Sequence, residues 1–246
     1  MDNIISKQHN KRLLQQDPLL APHLPKTLPL TLSNLRRMLK RYAFVYLKPD
    51  NSCQGKGLFR VDRLDPSHFA LRSREEHRPR VYQSLHILYT DLLKHKMRRR
   101  YLIQRGIRSQ TLTGQMVDIR VHLSRVHGKW VVAGIVGRVA PHRRIATNAY
   151  SGGKSVHVYP LLTKGMGYTH HAALSTIDDM IALSRRAVSV MSARYPKWPE
   201  YGLDIGIDGN GHLWIYEINI KPGGLVFKNL SAKAYKRILL LHRLAR

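Results

Sequence analysis

Apolar residues recur along this chain at two spacings, which predict both helices and strands. Apolar positions three and four apart predict helices, whereas alternation of apolar and polar positions predicts strands. Helices are predicted at residues 32–41, 81–96, 176–195 and 230–244. Strands are predicted at residues 44–48, 58–61, 68–72, 101–104, 117–123 and 130–139, and a further pair flanks residues 208–211. This order of elements predicts an α+β protein with antiparallel hairpins and without βαβ repeats.

The last predicted hairpin carries polar residues within apolar strands. An Asp-Gly-Asn-Gly turn at residues 208–211 separates its two alternating runs. Asp204 lies on the first strand, and Glu217 and Asn219 lie two residues apart on the second. Residues two apart point to the same face of a strand, so the three side chains can converge. Their oxygen atoms suit a hard cation such as Mg²⁺ that holds phosphates.

The composition makes these acidic residues stand out. The chain of 246 residues has 42 Lys and Arg residues against 15 Asp and Glu residues, a formal net charge of +27. No acidic residue lies between Ile119 and Ile177, and none follows Glu217. Acidic side chains inside the apolar strands of so basic a protein need a specific partner. The alternative to a metal is a buried ion pair of Asp204 or Glu217 with an arginine, in which Asn219 has no part.

A second candidate site lies where a lysine ends an apolar strand. Lys48 is followed by a loop of small residues that contains Gln54, Gly55, Lys56 and Gly57. A cation and a run of backbone amides can cradle an anion, although the spacing is not that of a P-loop. A glycine-rich hairpin turn beside a solvated lysine has the same composition, so both interpretations stay open. Cys53 in this loop is favoured as a small filler residue over a nucleophile.

Charged residues also mark the middle hairpin. Asp118 and Arg120 share one face of a strand, and Arg138 lies on the partner strand. The two guanidinium groups can bind one phosphate through paired hydrogen bonds. The alternative is a surface Asp–Arg ion pair, which stabilises a protein little. The loop at residues 146–154, which contains Asn148, is either a cover over a substrate or a simple turn.

Five separated motifs occur in an order that resembles the ATP-grasp superfamily. They are the lysine strand with its glycine loop, Tyr-Leu-Ile-Gln-x-Gly-Ile at 101–107, Asp-Ile-Arg at 118–120, Thr-Asn-x₃-Gly-Gly at 147–153, and Asp…Glu-x-Asn-x-x-Pro-Gly at 204–223. More narrowly, residues 24–224 resemble the YheC/YheD family, which is described as associated with the endospore coat. The resemblance implies an ATP-grasp fold, in which two α+β subdomains grip the nucleotide between antiparallel sheets.

The resemblance and the composition together predict the domain organisation. Residues 1–30 are polar and punctuated by proline, which predicts an irregular N-terminal lead-in. The resemblance implies a first ATP-grasp subdomain at residues 31–103, with the lysine and the glycine loop. It implies a second subdomain at residues 104–246, with the hinge, the Asp-Ile-Arg strand and the metal-binding hairpin.

The resemblance also implies roles for individual residues. In ATP binding, Lys48 would hold the α- and β-phosphates beneath the loop at residues 54–57, and Asp118 would contact the ribose hydroxyls. The adenine would be read by the backbone of the hinge, which is Gln104, Arg105, Gly106 and Ile107. The γ-phosphate and the acceptor side would be contacted by Arg120, Arg138 and Asn148. The magnesium ions would be held by Asp204, Glu217 and Asn219.

The reaction implied by the resemblance is ATP-dependent ligation. Members of the superfamily typically activate a carboxylate as an acyl phosphate, which an amine or a thiol then attacks. Two alternatives stay open: RimK-like addition of amino acids to a peptide or protein, and a nucleotide-binding structural spore protein with weak or no catalysis. The chain departs from the pattern at Gln104, where many relatives carry Glu, and at Gly202, where ligases of the D-alanine–D-alanine type carry Arg.

Charge and patterning set expectations about partners and location. Besides ATP and an unknown carboxylate and amine or thiol acceptor, the positive charge favours an anionic polymer, an acidic peptide or spore-coat proteins as partners. Specific nucleic-acid binding is not favoured, because no helix-turn-helix, zinc-finger or aromatic RNA-binding motif is present. No apolar run approaches the roughly 20 residues that span a membrane, and the lone cysteine fits a reducing compartment. The expected location is the cytoplasm, or the spore.

Overall fold

A computed structural model describes residues 6–51, 55–76, 78–220 and 222–245 of the chain. Its strands are β1 (Thr27–Pro29), β2 (Phe44–Pro49), β3 (Phe59–Arg63), β4 (Phe69–Ser73), β5 (Arg80–Tyr82), β6 (Tyr101–Arg105), β7 (Val117–Val126), β8 (Lys129–Val139), β9 (Lys154–Val156), β10 (Glu200–Ile207) and β11 (Leu213–Ile220). Its helices are α1 (Lys7–Gln15), α2 (Leu32–Arg41), α3 (Leu85–His95), α4 (Val158–Pro160), α5 (His170–Arg194), α6 (Leu225–Lys228) and α7 (Ala232–Leu244). Of the helices in these described parts, none is both long and apolar enough to cross a membrane.

Contacts between residues divide the chain into two compact units. The larger unit contains Met1–Leu24, Arg108–His142 and Thr147–Arg246, and the smaller unit contains Pro25–Ile107 and Arg143–Ala146. Residues 104–107, which the resemblance places in the second subdomain, group with the smaller unit. The physical reason is that Gln104 and Arg105 belong to β6, which pairs with β2 in the sheet of that unit.

The smaller unit is built on an antiparallel sheet with the strand order β1-β6-β2-β3-β4-β5. Helix α2 begins after Thr31 because the Thr31 hydroxyl oxygen accepts the Asn34 amide at 3.1 Å, an N-cap contact. Leu35 of α2 and Leu88 of α3 are fully buried in one core with Leu47 of β2. Burial of these apolar side chains, which removes them from water, holds the two helices on the sheet.

The larger unit is built on an antiparallel sheet with the strand order β11-β10-β7-β8-β9. The apolar residues of β7 alternate onto the face that packs in one core with α5; they are Val117, Ile119, Val121 and Leu123. The other face of β7 is polar and buried; it carries Asp118, Arg120, His122 and Ser124. We call this second face the polar face, and the candidate site lies on it.

Helices α6 and α7 cover part of the polar face. Phe227 of α6 and Ile238 of α7 pack against Val136 of β8. The Phe227 ring meets His122 edge-on, with 5.8 Å between the ring centroids. A Cβ atom at Gly134 would lie 2.5 Å from the Phe227 ring, so glycine at this position lets α6 approach the strand.

The structure confirms the predicted α+β class and the antiparallel hairpins. The expectation of an irregular lead-in is wrong for residues 7–15, which form α1. The Ser6 hydroxyl oxygen caps this helix by accepting the His9 amide at 3.1 Å, and Leu14 is buried in the core of the larger unit. A helix of nine residues with one buried leucine has too little periodicity to be detected from its pattern.

Candidate functional site

Four charged side chains meet on the polar face: Asp118, Arg120, Arg138 and Asp204. Arg120 of β7 is directly opposite Asp204 of β10, and Asp118 of β7 is directly opposite Arg138 of β8. Directly opposed residues of an antiparallel pair project from the same face of the sheet. Asp118, Arg120 and Arg138 are 7%, 8% and 5% exposed. We call these four residues the charge quartet.

Short, paired hydrogen bonds join the charge quartet. Arg138 donates from Nε and Nη2 to the two carboxylate oxygens of Asp118, both at 2.6 Å. Its Nη2 also lies 2.9 Å from Oδ1 of Asp204. Arg120 donates from Nε and Nη2 to the two oxygens of Asp204, at 2.5 Å and 3.1 Å. The planar guanidinium fork suits this two-point binding of a carboxylate.

Electrostatics hold Asp204 and Arg138 in their ionised forms. Burial by itself raises the pKa of Asp204, but the positive charges of Arg120 and Arg138 more than offset it and hold that pKa well below its usual range. Burial lowers the pKa of Arg138, but the charges of Asp118 and Asp204 raise that pKa above its usual value. Both side chains are therefore charged at neutral pH.

The structure brings the three predicted metal ligands to one face of the β10–β11 hairpin. Asp204 is directly opposite Glu217, and Gly202 is directly opposite Asn219. The Asn219 Nδ2 atom lies 3.5 Å from Oδ2 of Asp204 and 3.5 Å from the Gly202 carbonyl oxygen. Lys7 of α1 donates from Nζ to Oε1 of Glu217 at 2.8 Å. The predicted ligands are thus close together and have a lysine beside them.

The chemistry of this group fits a hard divalent cation. Two carboxylates and a carboxamide oxygen are ligands that Mg²⁺ accepts. In the structure, guanidinium groups stand beside Asp204 and the ammonium group of Lys7 stands beside Glu217, so each carboxylate already has a positive partner. Within the described residues, no three His, Cys, Asp or Glu side chains form a group that could hold a metal ion. A metal at this place would therefore need Asn219 as a ligand and would exchange with side-chain cations.

The ion pairs considered as alternatives to ligand binding are formed by Asp204 and Asp118, but not by Glu217 with an arginine. Asp204 does form a buried ion pair with arginine, whereas Glu217 pairs with Lys7 and its side chain is 26% exposed. The interpretation of Asp118 as part of a surface pair is wrong, because Asp118 is buried and is bound by Arg138 across the strands. The pairing follows from the strand register, since Arg120 is directly opposite Asp204 of β10 and Asp118 is directly opposite Arg138 of β8.

In the smaller unit, Lys48 of β2 contacts Gln104 of β6. Lys48 donates from Nζ to Oε1 of Gln104 at 2.6 Å, and Gln104 is buried. The ammonium group also lies 5.8 Å from the centre of the Tyr46 ring, within cation–π range. The neutral amide of Gln104 positions Lys48 and leaves its positive charge uncompensated by this contact. A glutamate at the same position would offset that charge.

The glycine loop after Lys48 has left-handed backbone at two positions. Gly55 and Gly57 have φ angles of 69° and 70°, where glycine is favoured. A Cβ atom at Gly57 would lie 2.6 Å from the Tyr101 hydroxyl, so close packing also requires glycine there. Lys56 between them is exposed. Gln54 lies outside the described residues, and its role stays a prediction.

The predicted hinge ends β6 and is tied to neighbouring backbone. The Arg105 amide donates to the Lys26 carbonyl at 2.8 Å, and the Gly106 amide donates to the Phe44 carbonyl at 3.0 Å. A Cβ atom at Gly106 would lie 2.1 Å from the Phe44 ring, so this close approach requires glycine. Ile107 is buried. These two hinge amides already donate hydrogen bonds to backbone carbonyls of the same unit. An adenine would therefore be bound by the other backbone groups of residues 104–107.

The loop that contains Asn148 is a compact turn. The Gly153 amide donates to the Asn148 carbonyl at 3.1 Å, and a Cβ atom at Gly153 would lie 1.8 Å from the Thr147 carbonyl oxygen. Thr147 donates its hydroxyl to Oδ2 of Asp118 at 2.8 Å. Thr147 thereby anchors the turn to the charge quartet, a contact that links residues 29 positions apart.

A second polar cluster lies under α7, and no sequence pattern indicated it. Oε1 of Glu200 accepts from the Ser124 hydroxyl at 3.0 Å and lies 3.2 Å from Nε2 of His122. Oε2 of Glu200 lies 2.6 Å from Nδ1 of His242. Burial raises the pKa of Glu200, but hydrogen bonds with His122, His242 and Ser124 outweigh it and lower that pKa to about 2. The cluster ties α7 to β7 and β10.

Sequence comparison finds relatives of one kind. A family model described as YheC/D-like ATP-grasp matches residues 2–244. Endospore coat-associated protein YheD of Bacillus subtilis (strain 168) is 26% identical over 235 residues, which cover 91% of this chain and 49% of that protein. Endospore coat-associated protein YheC of the same strain is 23% identical over 212 residues, 85% of this chain and 58% of that protein. The chain spans about half the length of the curated relatives it matches.

Solved structures similar to this chain include ligases and synthetases. The L-amino acid ligase from Bacillus licheniformis has a TM-score of 0.58 at 14% identity and covers 99% of this chain and 48% of its own. D-cycloserine synthetase DcsG has a TM-score of 0.56 at 12% identity, and the match covers 98% of this chain and 70% of that chain. The ATP-grasp ligase PsnB was solved with a minimal precursor, Mg and ADP. It has a TM-score of 0.52 at 13% identity, and the match covers 98% of this chain and 57% of that chain. These likenesses confirm the ATP-grasp fold predicted from the order of motifs.

Proposed function

Because this chain belongs to the YheC/D-like ATP-grasp family, we propose that it is an Mg·ATP-dependent carboxylate–amine or carboxylate–thiol ligase. The observation that carries the proposal is the convergence of Asp204, Glu217 and Asn219 on the face that also holds Arg120 and Arg138. This face combines oxygen ligands for a metal with guanidinium donors for phosphate oxygens. Solved proteins of the same fold include an L-amino acid ligase and a ligase with bound Mg and ADP, which supports this choice.

In the proposed site, the larger unit acts on the reacting phosphate. Asp204, Glu217 and Asn219 would hold Mg²⁺, which would supply positive charge that offsets the negative charge of the phosphate oxygens. If Asp204 bound a metal, its hydrogen bonds with Arg120 would weaken, and the Arg120 guanidinium would be available to the γ-phosphate oxygens. Arg138 would keep its paired hydrogen bonds with Asp118 and would free only its Nη2 contact with Asp204.

The smaller unit binds the rest of the nucleotide in this proposal. Lys48, held by Gln104, binds the α- and β-phosphates, and the backbone amides of residues 54–57 cover them. The hinge of residues 104–107 reads the adenine through backbone groups. For Asp118, the paired hydrogen bonds with Arg138 favour a positioning role on that arginine over the predicted contact with the ribose.

The proposed reaction has two steps. In the first, a carboxylate oxygen of the substrate attacks the γ-phosphorus and the bond to the β,γ-bridging oxygen breaks. The products of this step are an acyl phosphate and free ADP. The amine or thiol then attacks the acyl carbon and loses its proton as inorganic phosphate departs. Arg120 and Arg138 stabilise the charge of the transferring phosphoryl group, and Asn148 lies on the acceptor side.

Replacement of Glu217 tests the proposed metal site. The wild-type protein is expected to show a thermal shift with Mg²⁺ and ATP, and to release ADP when given mixed amino acids and peptides. Glu217→Gln should lower ADP release by about tenfold or more, because it weakens a metal ligand. The fold should persist, since the Glu217 side chain is 26% exposed.

The control for Glu217→Gln is Asp178→Asn, which removes an exposed acid from α5 of the same unit. It should leave ADP release at the wild-type level. A wild-type protein without any response to nucleotide would overturn the proposed function. An equal loss of ADP release in both variants would contradict the assignment of Glu217 as a metal ligand.

One observation favours a peptide or protein acceptor. The net charge of +27 and the lack of acidic residues from 120 to 176 attract acidic chains. ADP release with acidic peptides but not with free amino acids would select RimK-like addition. ATP binding without ADP release for any acceptor would select a nucleotide-binding structural protein. We also propose a cytoplasmic location, with association with the spore as the alternative, which the endospore-coat association in the names of YheD and YheC supports.

A further inference from the structure

Lys7 of helix α1 forms an ion pair with the carboxylate of Glu217, one of the proposed metal ligands. Lys7 Nζ lies 2.8 Å from Oε1 of Glu217, and the two side chains are 17% and 26% exposed. The contact joins residues 210 positions apart, and both belong to the larger unit. An ammonium group and a divalent cation at one carboxylate repel each other, so the binding of either weakens the binding of the other.

Helix α1 holds this lysine firmly in place. Leu14 of α1 is 2% exposed and packs in the core that also contains β10 and β11 residues. Ser6 caps the helix through the His9 amide, and the Asn10 amide donates to the Ser6 carbonyl at 3.1 Å. Lys7 is therefore the first residue of a docked helix, which limits where its ammonium group can lie.

The position of Lys7 in α1 makes it dependent on Glu217. A cation in the first turn of a helix opposes the helix dipole. Residues 7–10, Lys-Gln-His-Asn, contain no acidic side chain that offsets it. Glu217 supplies the offsetting negative charge from β11. Loss of that carboxylate to another cation would leave the start of α1 less stable.

We propose that Lys7 is the resident cation of the metal site, which holds Glu217 in place and must be displaced when Mg²⁺ binds. The inference rests on the proposed function and goes beyond it, because it makes α1 a determinant of divalent-cation affinity. Two consequences follow. Removal of the Lys7 charge tightens metal binding, and metal binding loosens the first turn of α1.

The first consequence is measured with Mn²⁺ as a probe. Calorimetric titration in the presence of a non-hydrolysable ATP analogue compares the wild type with Lys7→Gln, Lys7→Arg and Arg12→Gln. Lys7→Gln should bind Mn²⁺ about threefold to tenfold more tightly, the range expected for loss of a partly buried competing cation. Lys7→Arg should stay near the wild type. Arg12→Gln removes the same charge from an exposed position of the same helix and should change the affinity less than about twofold.

The second consequence is measured by hydrogen exchange, which does not depend on activity. Mg²⁺ with the ATP analogue should speed exchange of the His9 and Asn10 amides in the wild type, because both are bonded at the start of α1. In Lys7→Gln the same addition should leave their exchange unchanged. Amides near Leu14 serve as the internal control.

The outcomes separate this inference from the proposed function. If the wild type binds Mn²⁺ and nucleotide, but Lys7→Gln and Arg12→Gln have equal affinities, the role of Lys7 is overturned and the ligase proposal stands. Faster exchange on metal binding in both wild type and Lys7→Gln would also overturn it. A folded wild-type protein that binds neither metal nor nucleotide overturns both.

Discussion

Buried charges on the polar face are matched residue by residue. Arg138 is 5% exposed and lies between the carboxylates of Asp118 and Asp204. A buried charge without a partner is costly, whereas a pair with several hydrogen bonds is tolerated. The stability of this face therefore depends on complete pairing more than on the number of ion pairs.

Arg138→Met tests this dependence. The variant keeps a long apolar side chain but takes a guanidinium from two buried carboxylates, and the free energy of unfolding should fall by about 3–5 kcal/mol. Arg186→Met is the control, since Arg186 pairs with Asp17 and its side chain is 45% exposed. Its effect should stay within about 1 kcal/mol. Urea unfolding followed by circular dichroism measures both, and equal losses would contradict the prediction.

The placement of single residues was predictable where strand geometry decides it. Asp204, Glu217 and Asn219 share a face because side chains alternate along a strand. Partner choice was not predictable. Lys7 meets Glu217 across 210 positions, from a segment without a recognisable pattern. Such contacts depend on tertiary packing, which local periodicity does not encode.

At the scale of elements, α7 shows how a basic helix is fastened to a sheet. Ile238 packs against β8 residues, and Arg237 donates from Nε to the Ala133 carbonyl at 3.0 Å. His242 contacts Glu200 of β10. The helix predicted at residues 230–244 is α7, which begins two residues later than predicted, and the short helix α6 before it was not predicted. The start of α7 is set by Ser231, whose hydroxyl oxygen caps the helix by accepting the Ala234 amide.

The Glu200 cluster predicts acid sensitivity of this attachment. Folding lowers the pKa of Glu200 from 4.5 to about 2, so the folded state favours the ionised carboxylate. A group with a lowered pKa stabilises the fold above its unfolded pKa, and this stabilisation is lost as the pH falls through the folded pKa. The contribution of Glu200 to stability is therefore present above about pH 4.5 and declines as the pH falls from there to about 2.

The measurement compares the wild type with Glu200→Gln. The free energy of unfolding should be lower in the variant at neutral pH, and the difference should shrink when both are measured near pH 3. A difference that stays constant with pH would show that the carboxylate charge is not what stabilises the cluster.

At the scale of the whole molecule, charge and fold have separate origins. The fold was predictable because five motifs keep the order of a known superfamily, each within its own strand or loop. The net charge of +27 concerns partners and does not select a fold. It lies on helices of both units, as at Arg36 and Arg37 of α2 and Lys233 and Lys236 of α7, all exposed.

This charge predicts salt-sensitive, sequence-blind retention on polyanions. Binding to heparin or to duplex DNA should weaken steeply between about 0.05 M and 0.2 M salt, because it releases counterions. Saturating Mg·ATP should change the retention little, since the charge is spread over surface helices. Retention that persists at higher salt, or that prefers one DNA sequence, would point to a specific nucleic-acid site instead.

The interleaved boundaries of the two units affect how the protein can be divided. The chain passes between units after Leu24, after Ile107, after His142 and after Ala146. The short return segment belongs to the smaller unit, where Tyr46 donates its hydroxyl to the Ile145 carbonyl at 3.2 Å. A single proteolytic cut therefore releases neither unit intact, and a fragment of residues 25–107 lacks part of its own fold. The two units are best expressed, labelled and permuted as one chain, and closure of these long loops makes folding slower than the size of either sheet would suggest.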